Sequence, residues 1–179
     1  SLPSTTRTEM THYNVSDPAA LASGSVVRLG DIADLQGGRN LVGNDQDVES
    51  EFRVLKISAV TSGNFRPSES KALPAEYLPP ADHIVRQGDL LISRANTAEL
   101  VGAVAYVEDA PSNLVLPDKI WRFVWRSPES VPLYYRTLFR TPSVRRRMSQ
   151  LASGTGGSMK NISKAKLVEL KLPLVNVGL

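Results

Sequence analysis

Asp118, which follows Pro117, and Glu169, two positions before Lys171, are the residue types that hold a divalent metal ion and a nucleophilic water at a phosphodiester. Such a centre needs both acids on neighbouring strands so that they share the ion. Here they lie about fifty positions apart, and each also reads as an ordinary loop or strand-edge residue, so metal-dependent cleavage stands as an alternative. A second candidate is the run Gly154-Thr155-Gly156-Gly157-Ser158-Met159-Lys160-Asn161, whose Gly154 and Lys160 fall at the offsets of a phosphate-cradling loop. Met159 replaces the second glycine of that loop, Asn161 replaces the hydroxyl that binds Mg²⁺, and the run follows a helical pattern where a strand is needed. Nucleotide hydrolysis is therefore disfavoured. The chain has no cysteine, and its two histidines, His12 and His83, stand far apart outside any cluster of acids. Thiolate nucleophiles, disulfides and a zinc centre are thereby excluded, and neither metal nor cofactor is expected on this chain. The Asn-Pro-Pro-Tyr run of amino-methyltransferases, the dinucleotide glycine fingerprint and the nucleophile elbow are also missing.

What remains is binding. Residues 132–171 hold nine lysines and arginines against one acid, a local charge of +8, while the whole chain carries only +3. The rest of the molecule is thus −5. A field so divided suits a polyanion on one side, although a solvated helix face gives the same composition. Arg145, Arg146, Lys160 and Lys164 are the candidate phosphate contacts, with Ser158 and Asn161 available beside them. For reading base edges, Arg94 and Asn96 rank first because they leave an apolar strand, and arginine with guanine or asparagine with adenine are the common bidentate pairs. Arg39 and Asn40 rank second. For Arg94 the competing reading is a salt bridge that holds its loop.

These side chains need elements to aim them. With 179 residues, 41% of them hydrophobic, the chain can bury one core, and one domain over residues 25–179 is expected after a polar tail of residues 1–24 with at most a short helix. No apolar run reaches the length of a membrane span, and no signal-peptide layout opens the chain, so a cytoplasmic protein is expected. Strands are expected at 26–29, at 52–57, at 90–93 as a continuous apolar central strand, at 101–107 with Gly102 at a bulge or close approach, and at 119–126. In the last of these, Trp121, Phe123 and Trp125 share one face, a core face in preference to a base-stacking platform. Asp31 is expected to cap a short helix through Leu35, and residues 62–80 to form a long loop. Two helices follow: one capped by Ser130 with Pro132 in its first turn, one started by Thr141-Pro142 with Val144, Met148 and Leu151 on its buried face. Gly154 sits where a left-handed terminator belongs, Ser163 caps a last helical turn, and 168–174 alternate as a closing strand.

Several segments, in order, resemble a target recognition domain of the specificity (S) subunit of type I restriction-modification systems. They are Val27-Arg28-Leu29-Gly30-Asp31-Ile32-Ala33, Gly88-Asp89-Leu90-Leu91-Ile92-Ser93-Arg94, Ser153-Gly154-Thr155, Asn161-Ile162-Ser163 and Leu172-Pro173-Leu174. The resemblance implies an α/β fold: a single globular target-recognition-type domain with a twisted mixed β-sheet and several short helices. It further implies a sequence-specific, non-enzymatic DNA-binding domain that recognises one half of a bipartite target. In that family the S subunit neither methylates nor cleaves. Its partners are double-stranded DNA, methyltransferase (M) subunits that bind S-adenosylmethionine and, through them, the restriction (R) subunit. Full S subunits hold two such domains joined by long helices, and residues 175–179 fall about where such a helix starts, so a single-domain piece is expected. A protein-interaction module that docks a methyltransferase subunit is the remaining alternative.

Overall fold

The computed structural model describes residues 26–46, 48–128, 130–154 and 159–173. The expected tail at 1–24, Ser158 and Leu174 lie outside the described residues. At the centre is an antiparallel sheet of four strands in the order β2 (Ala33–Gly37), β9 (Ile120–Trp125), β5 (Leu90–Ser93), β7 (Val104–Tyr106). The apolar run at 90–93 forms the expected buried strand, with no residue of it exposed. Leu90 and Ile92 face a core shared with Leu29, Phe123, Phe139 and Met148, while Leu91 faces a second core with Val60, Leu116 and Ile120. A strand covered on both sides has no polar face to alternate with, hence the continuous apolar run. Each such side chain contributes roughly 1.5–3 kcal/mol on burial.

In β9, Trp121 and Phe123 are buried and Trp125 is half-buried. Phe123 stacks on Trp125 at 5.3 Å and Trp125 on Tyr135 at 4.5 Å, so the aromatic face packs α3 (Pro132–Phe139) onto the sheet, as the core reading requires. On the opposite face Arg122 pairs with Asp89 at 2.9 Å and donates to the carbonyls of Asp82 and Ile84, which ties the turn at Ala81–His83 to the sheet. After α3 comes α4 (Pro142–Leu151), where Thr141 Oγ1 accepts from the N–H of Val144 and both Val144 and Met148 are fully buried, as expected.

The remaining strands form three small sheets. Among the described residues one of these is mixed: β3 (Arg53–Leu55) runs antiparallel to β4 (Ser70–Ala72) and parallel to β8 (Leu114–Val115). β6 (Ala95–Asn96) pairs with β10 (Lys160–Asn161), and β1 (Val26–Arg28) with β11 (Lys171–Pro173), both antiparallel.

The structure departs from the expected elements at several points. The first helix, α1, spans Leu29–Ile32 and stops short of Leu35: Ala33 and Leu35 point inward at period two, so the stretch extends as β2, and Asp31 sits inside the helix, paired with Arg28. The loop at 62–80 contains β4, and the strand at 52–57 ends early because Ile57 opens α2 (Ser58–Thr61). The strand at 101–107 shrinks to β7, because Gly102 at φ +80° closes a turn so near Met148 that a Cβ would lie 3.0 Å from its Cγ. Ser130 caps nothing: Val131 is the boundary residue of α3, one position later. Gly154 is not left-handed; the chain leaves α4 in extended geometry at Ala152 and pairs Ser153 with Asn161. Ser163 does cap α5 (Lys164–Leu167), accepting from Lys166, but Val168 ends that helix, so the closing strand starts only at Lys171.

Candidate nucleic-acid interface

Register puts the ends of three central strands side by side. Gly37 lies opposite Trp121 and Ser93 opposite Ile120, so the segments after β2 and β5 emerge where β9 begins. Main-chain bonds lock them there: Gly38 N–H donates to Pro117 O at 2.9 Å, Asp118 N–H to Arg39 O at 3.0 Å, and Arg94 N–H to Lys119 O at 3.0 Å. The approach is close enough that a Cβ on Gly38 would stand 1.7 Å from the carbonyl oxygen of Leu116. β6 continues from Arg94 and pairs Asn96 with Lys160 and Ala95 with Asn161. The N–H of Ile162 closes this pairing onto Arg94 O at 2.8 Å.

One end of the sheet therefore gathers Arg39, Asn40, Arg94, Asn96, Lys160 and Asn161 from three separate stretches of chain. Arg39 and Asn40 are exposed. Arg94 donates from Nε to Asp118 O at 2.7 Å, reaches the Asp118 carboxylate from Nη2 at 3.5 Å, and holds its guanidinium 5.7 Å from the ring centroid of Trp121. Asn96 donates from Nδ2 to Thr61 Oγ1 at 3.1 Å and accepts at Oδ1 from the N–H of Thr97 at 2.8 Å. Lys160 Nζ donates to Gly154 O at 3.1 Å. A cleft of about 510 Å³ adjoins this end, with Asn40, Lys56, Lys71, Asp118 and Lys119 along its wall. Lys56 pairs with Glu69 and Lys71 with Asp45, whereas Lys119 is exposed at the lip.

The helical basic residues divide. Arg145 points away from the Val144 and Met148 face, yet it is half-buried, because the turn after Asn96 lies over that side of α4. It donates from Nη2 to Glu99 O at 2.7 Å, and Ser149 Oγ donates to Ala98 O at 2.9 Å beside it. Burial lowers the Arg145 guanidinium below its ordinary value. Arg147 donates to Lys171 O and Arg140 to Gly63 O, so these two fasten loops and strands. Arg146 and Lys164 are exposed.

No family model matches the chain. It is 34% identical, over 119 residues, to the specificity subunit of the type I restriction enzyme EcoEI of Escherichia coli; the match takes in 66% of this chain and 20% of that subunit. It is 30% identical over 112 residues to the EcoKI specificity subunit of Escherichia coli strain K12, or 62% of this chain and 24% of that one. The chain is similar to part of a type I specificity subunit. The fold agrees: the type I restriction-modification S subunit from M. genitalium superimposes with a TM-score of 0.53 at 14% identity, over 84% of this chain and 34% of that one. A chain from a structure of type I R-M system complex assembly and conformational transition gives 0.53 at 17% identity, over 94% of this chain and 37% of that one.

For this specificity-subunit-like domain the nuclease alternative gains no support. Asp118 is tied to Arg94, whereas Glu169 is tied to Arg28 beside the β1 and β11 pair, so the two acids share no site. Among the described residues no group of three or more histidines and acids is placed to hold a metal ion. Asp118, expected as a metal ligand or an ordinary loop residue, and Trp121, expected on a core face, both contact Arg94, and Thr61, which no sequence signal singles out, contacts Asn96. Their part in fixing Arg94 and Asn96 comes from contacts across 24 to 35 positions of chain, for which the Pro117-Asp118 turn ahead of an aromatic strand is the only local signal.

Proposed function

We propose that this chain is a non-catalytic DNA-reading domain that recognises one half of a bipartite duplex target on behalf of a type I restriction-modification complex. The observation that carries the reading is the 34% identity, over 119 residues, with a subunit named for specificity. Supporting the reading are exposed or half-exposed arginine and asparagine side chains on loops held by one end of the sheet, an arrangement that suits base-edge recognition. Arg94 and Asn96, with Arg39 and Asn40, read bases. Lys160 and Asn161 follow the backbone next to them, with Ser158, outside the described residues, as a further backbone contact; Arg146 and Lys164 add phosphate contacts from α4 and α5, and Arg145 contributes by holding the turn that follows Asn96. Methyltransferase (M) subunits carrying S-adenosylmethionine, and through them the restriction (R) subunit, are its partners, and the chain itself takes no cofactor and works in the cytoplasm.

Selection of bound molecules from a pool of random duplexes, begun at low salt, tests this. Enrichment of one short motif is expected, with affinity falling steeply as salt rises. Absence of any enriched motif, or affinity indifferent to salt, overturns the reading.

A further inference from the structure

Arg94 is held more completely than any other candidate base reader. Its main-chain N–H bonds Lys119, its carbonyl accepts from Ile162, and its guanidinium packs against Trp121, itself only 8% exposed. Gly37 makes room for that indole, since a Cβ there would lie 2.7 Å from Trp121 Cδ1. Asp118 then takes one edge of the guanidinium: its carbonyl oxygen faces Nε and its carboxylate faces Nη2. A guanidinium is planar with five N–H groups, so a partner on the Nε and Nη2 edge leaves the end formed by Nη1 and the second hydrogen of Nη2 for another bidentate partner. The ion pair therefore aims Arg94 instead of consuming it. Asn96 is fixed by one bond at its amide nitrogen and one at its amide oxygen, which leaves one N–H and one lone pair for a base.

We propose that Asp118 is a positioning residue that presents the end of Arg94 to two adjacent acceptors of a guanine, O6 and N7, in the major groove, making the Arg94 and Asp118 pair a specificity determinant. This rests on the DNA-reading function proposed above. A phosphate also offers two oxygens, but the Arg94 side chain is only 26% exposed and pinned at both its main chain and one guanidinium edge, a rigidity that selects geometry rather than charge alone.

The test is random-duplex selection with the full 179-residue chain and with Asp118→Asn, Asp118→Ala, Arg94→Lys and Arg94→Ala. The wild type should require guanine at one position. Asp118→Ala and Arg94→Lys should each remove that requirement and weaken binding to the selected duplex by roughly tenfold to a hundredfold, with preferences elsewhere intact. Asp118→Asn, which keeps a neutral side-chain acceptor where Asp118→Ala keeps only the backbone carbonyl that all variants share, should fall between. Adding Asp118→Ala to Arg94→Ala should change that position no further. A guanine requirement that survives Arg94→Lys or Asp118→Ala overturns the proposal. So does a loss spread evenly over all sequences, which means a phosphate contact, or an effect of Asp118→Ala that persists without Arg94. If the wild type enriches no motif, the DNA-reading function falls, and this assignment with it; enrichment without a guanine position overturns the assignment alone.

Discussion

Tyr134 and Arg122 show opposite ways of burying a polar group in this protein. Arg122 meets a carboxylate and two carbonyls, so its charge is compensated at the place where it leaves water. The Tyr134 hydroxyl is buried with no hydrogen-bond partner among the described residues, beside Tyr135 at a ring separation of 5.2 Å. Burial first, and the neighbouring Tyr135 second, push its phenol up to about 12. The folded state thus keeps the proton longer than the unfolded chain does. The contribution to stability is complete below pH 10, the ordinary phenol value, and is lost as pH rises from there towards 12. Tyr134→Phe removes an unsatisfied hydroxyl and keeps the ring, so it should leave stability at pH 7 unchanged or raise it by up to about 1 kcal/mol. It should also remove the Tyr134 part of the alkaline loss. Thermal melts of both proteins between pH 7 and 11 check this, and a variant that melts well below the wild type at neutral pH contradicts it.

The joint between β2 and β9 makes a sharper demand on sequence. Gly38 stands against Leu116 with no room for a methyl group, and neither side can retreat easily, because Gly38 bonds Pro117 O and Leu116 bonds His83 O. Gly38→Ala should therefore destabilise the fold by about 1–3 kcal/mol through overpacking, measured by urea denaturation. It should also weaken duplex binding by more than the unfolded fraction accounts for, because Arg39 and Asn40 move with the displaced loop. Wild-type stability and affinity in that variant would mean the two segments are not held together. Legible in the sequence are the elements whose burial is nearly one-dimensional. β5 announces itself by an unbroken apolar run, β9 by strict alternation, and α4 by a Thr-Pro start with a spaced apolar face. Where tertiary pairing competes with local propensity, the local reading fails: Ala33 and Leu35 join β9 instead of extending a helix, and Ser-Lys-Ala at 70–72 becomes β4 only because β3 is beside it. The candidate site divides the same way. Arginine and asparagine after an apolar strand can be picked from residue type, but their convergence with Arg39 and Lys160 depends on strand register, which no local pattern encodes.

Charge is the property that belongs to the molecule as a whole. The +8 of residues 132–171 is one field at a distance, but its members differ close up. Arg140, Arg145 and Arg147 each donate to a main-chain carbonyl elsewhere in the fold, so they add to long-range attraction while their guanidiniums are already engaged. Arg146 and Lys164 are exposed, and Lys160 donates to the nearby Gly154 carbonyl, a contact that a phosphate can replace. Three phosphate contacts from these residues predict that log K falls with log salt at a slope of about −3. Lys160→Ala with Lys164→Ala should flatten that slope by roughly 2 and weaken all duplexes alike, leaving the selected motif unchanged. Arg145→Ala should behave differently, lowering thermal stability and disturbing the turn at 97–100, because the carbonyl of Glu99 loses its donor. Fluorescence anisotropy titrations from low to moderate salt, on the selected duplex and on an unrelated one, separate these outcomes. If the double lysine variant keeps the wild-type slope, the polyanion lies elsewhere on the basic surface. If it changes the selected motif instead, the division between backbone contacts on α5 and β10 and base contacts at the sheet end is wrong.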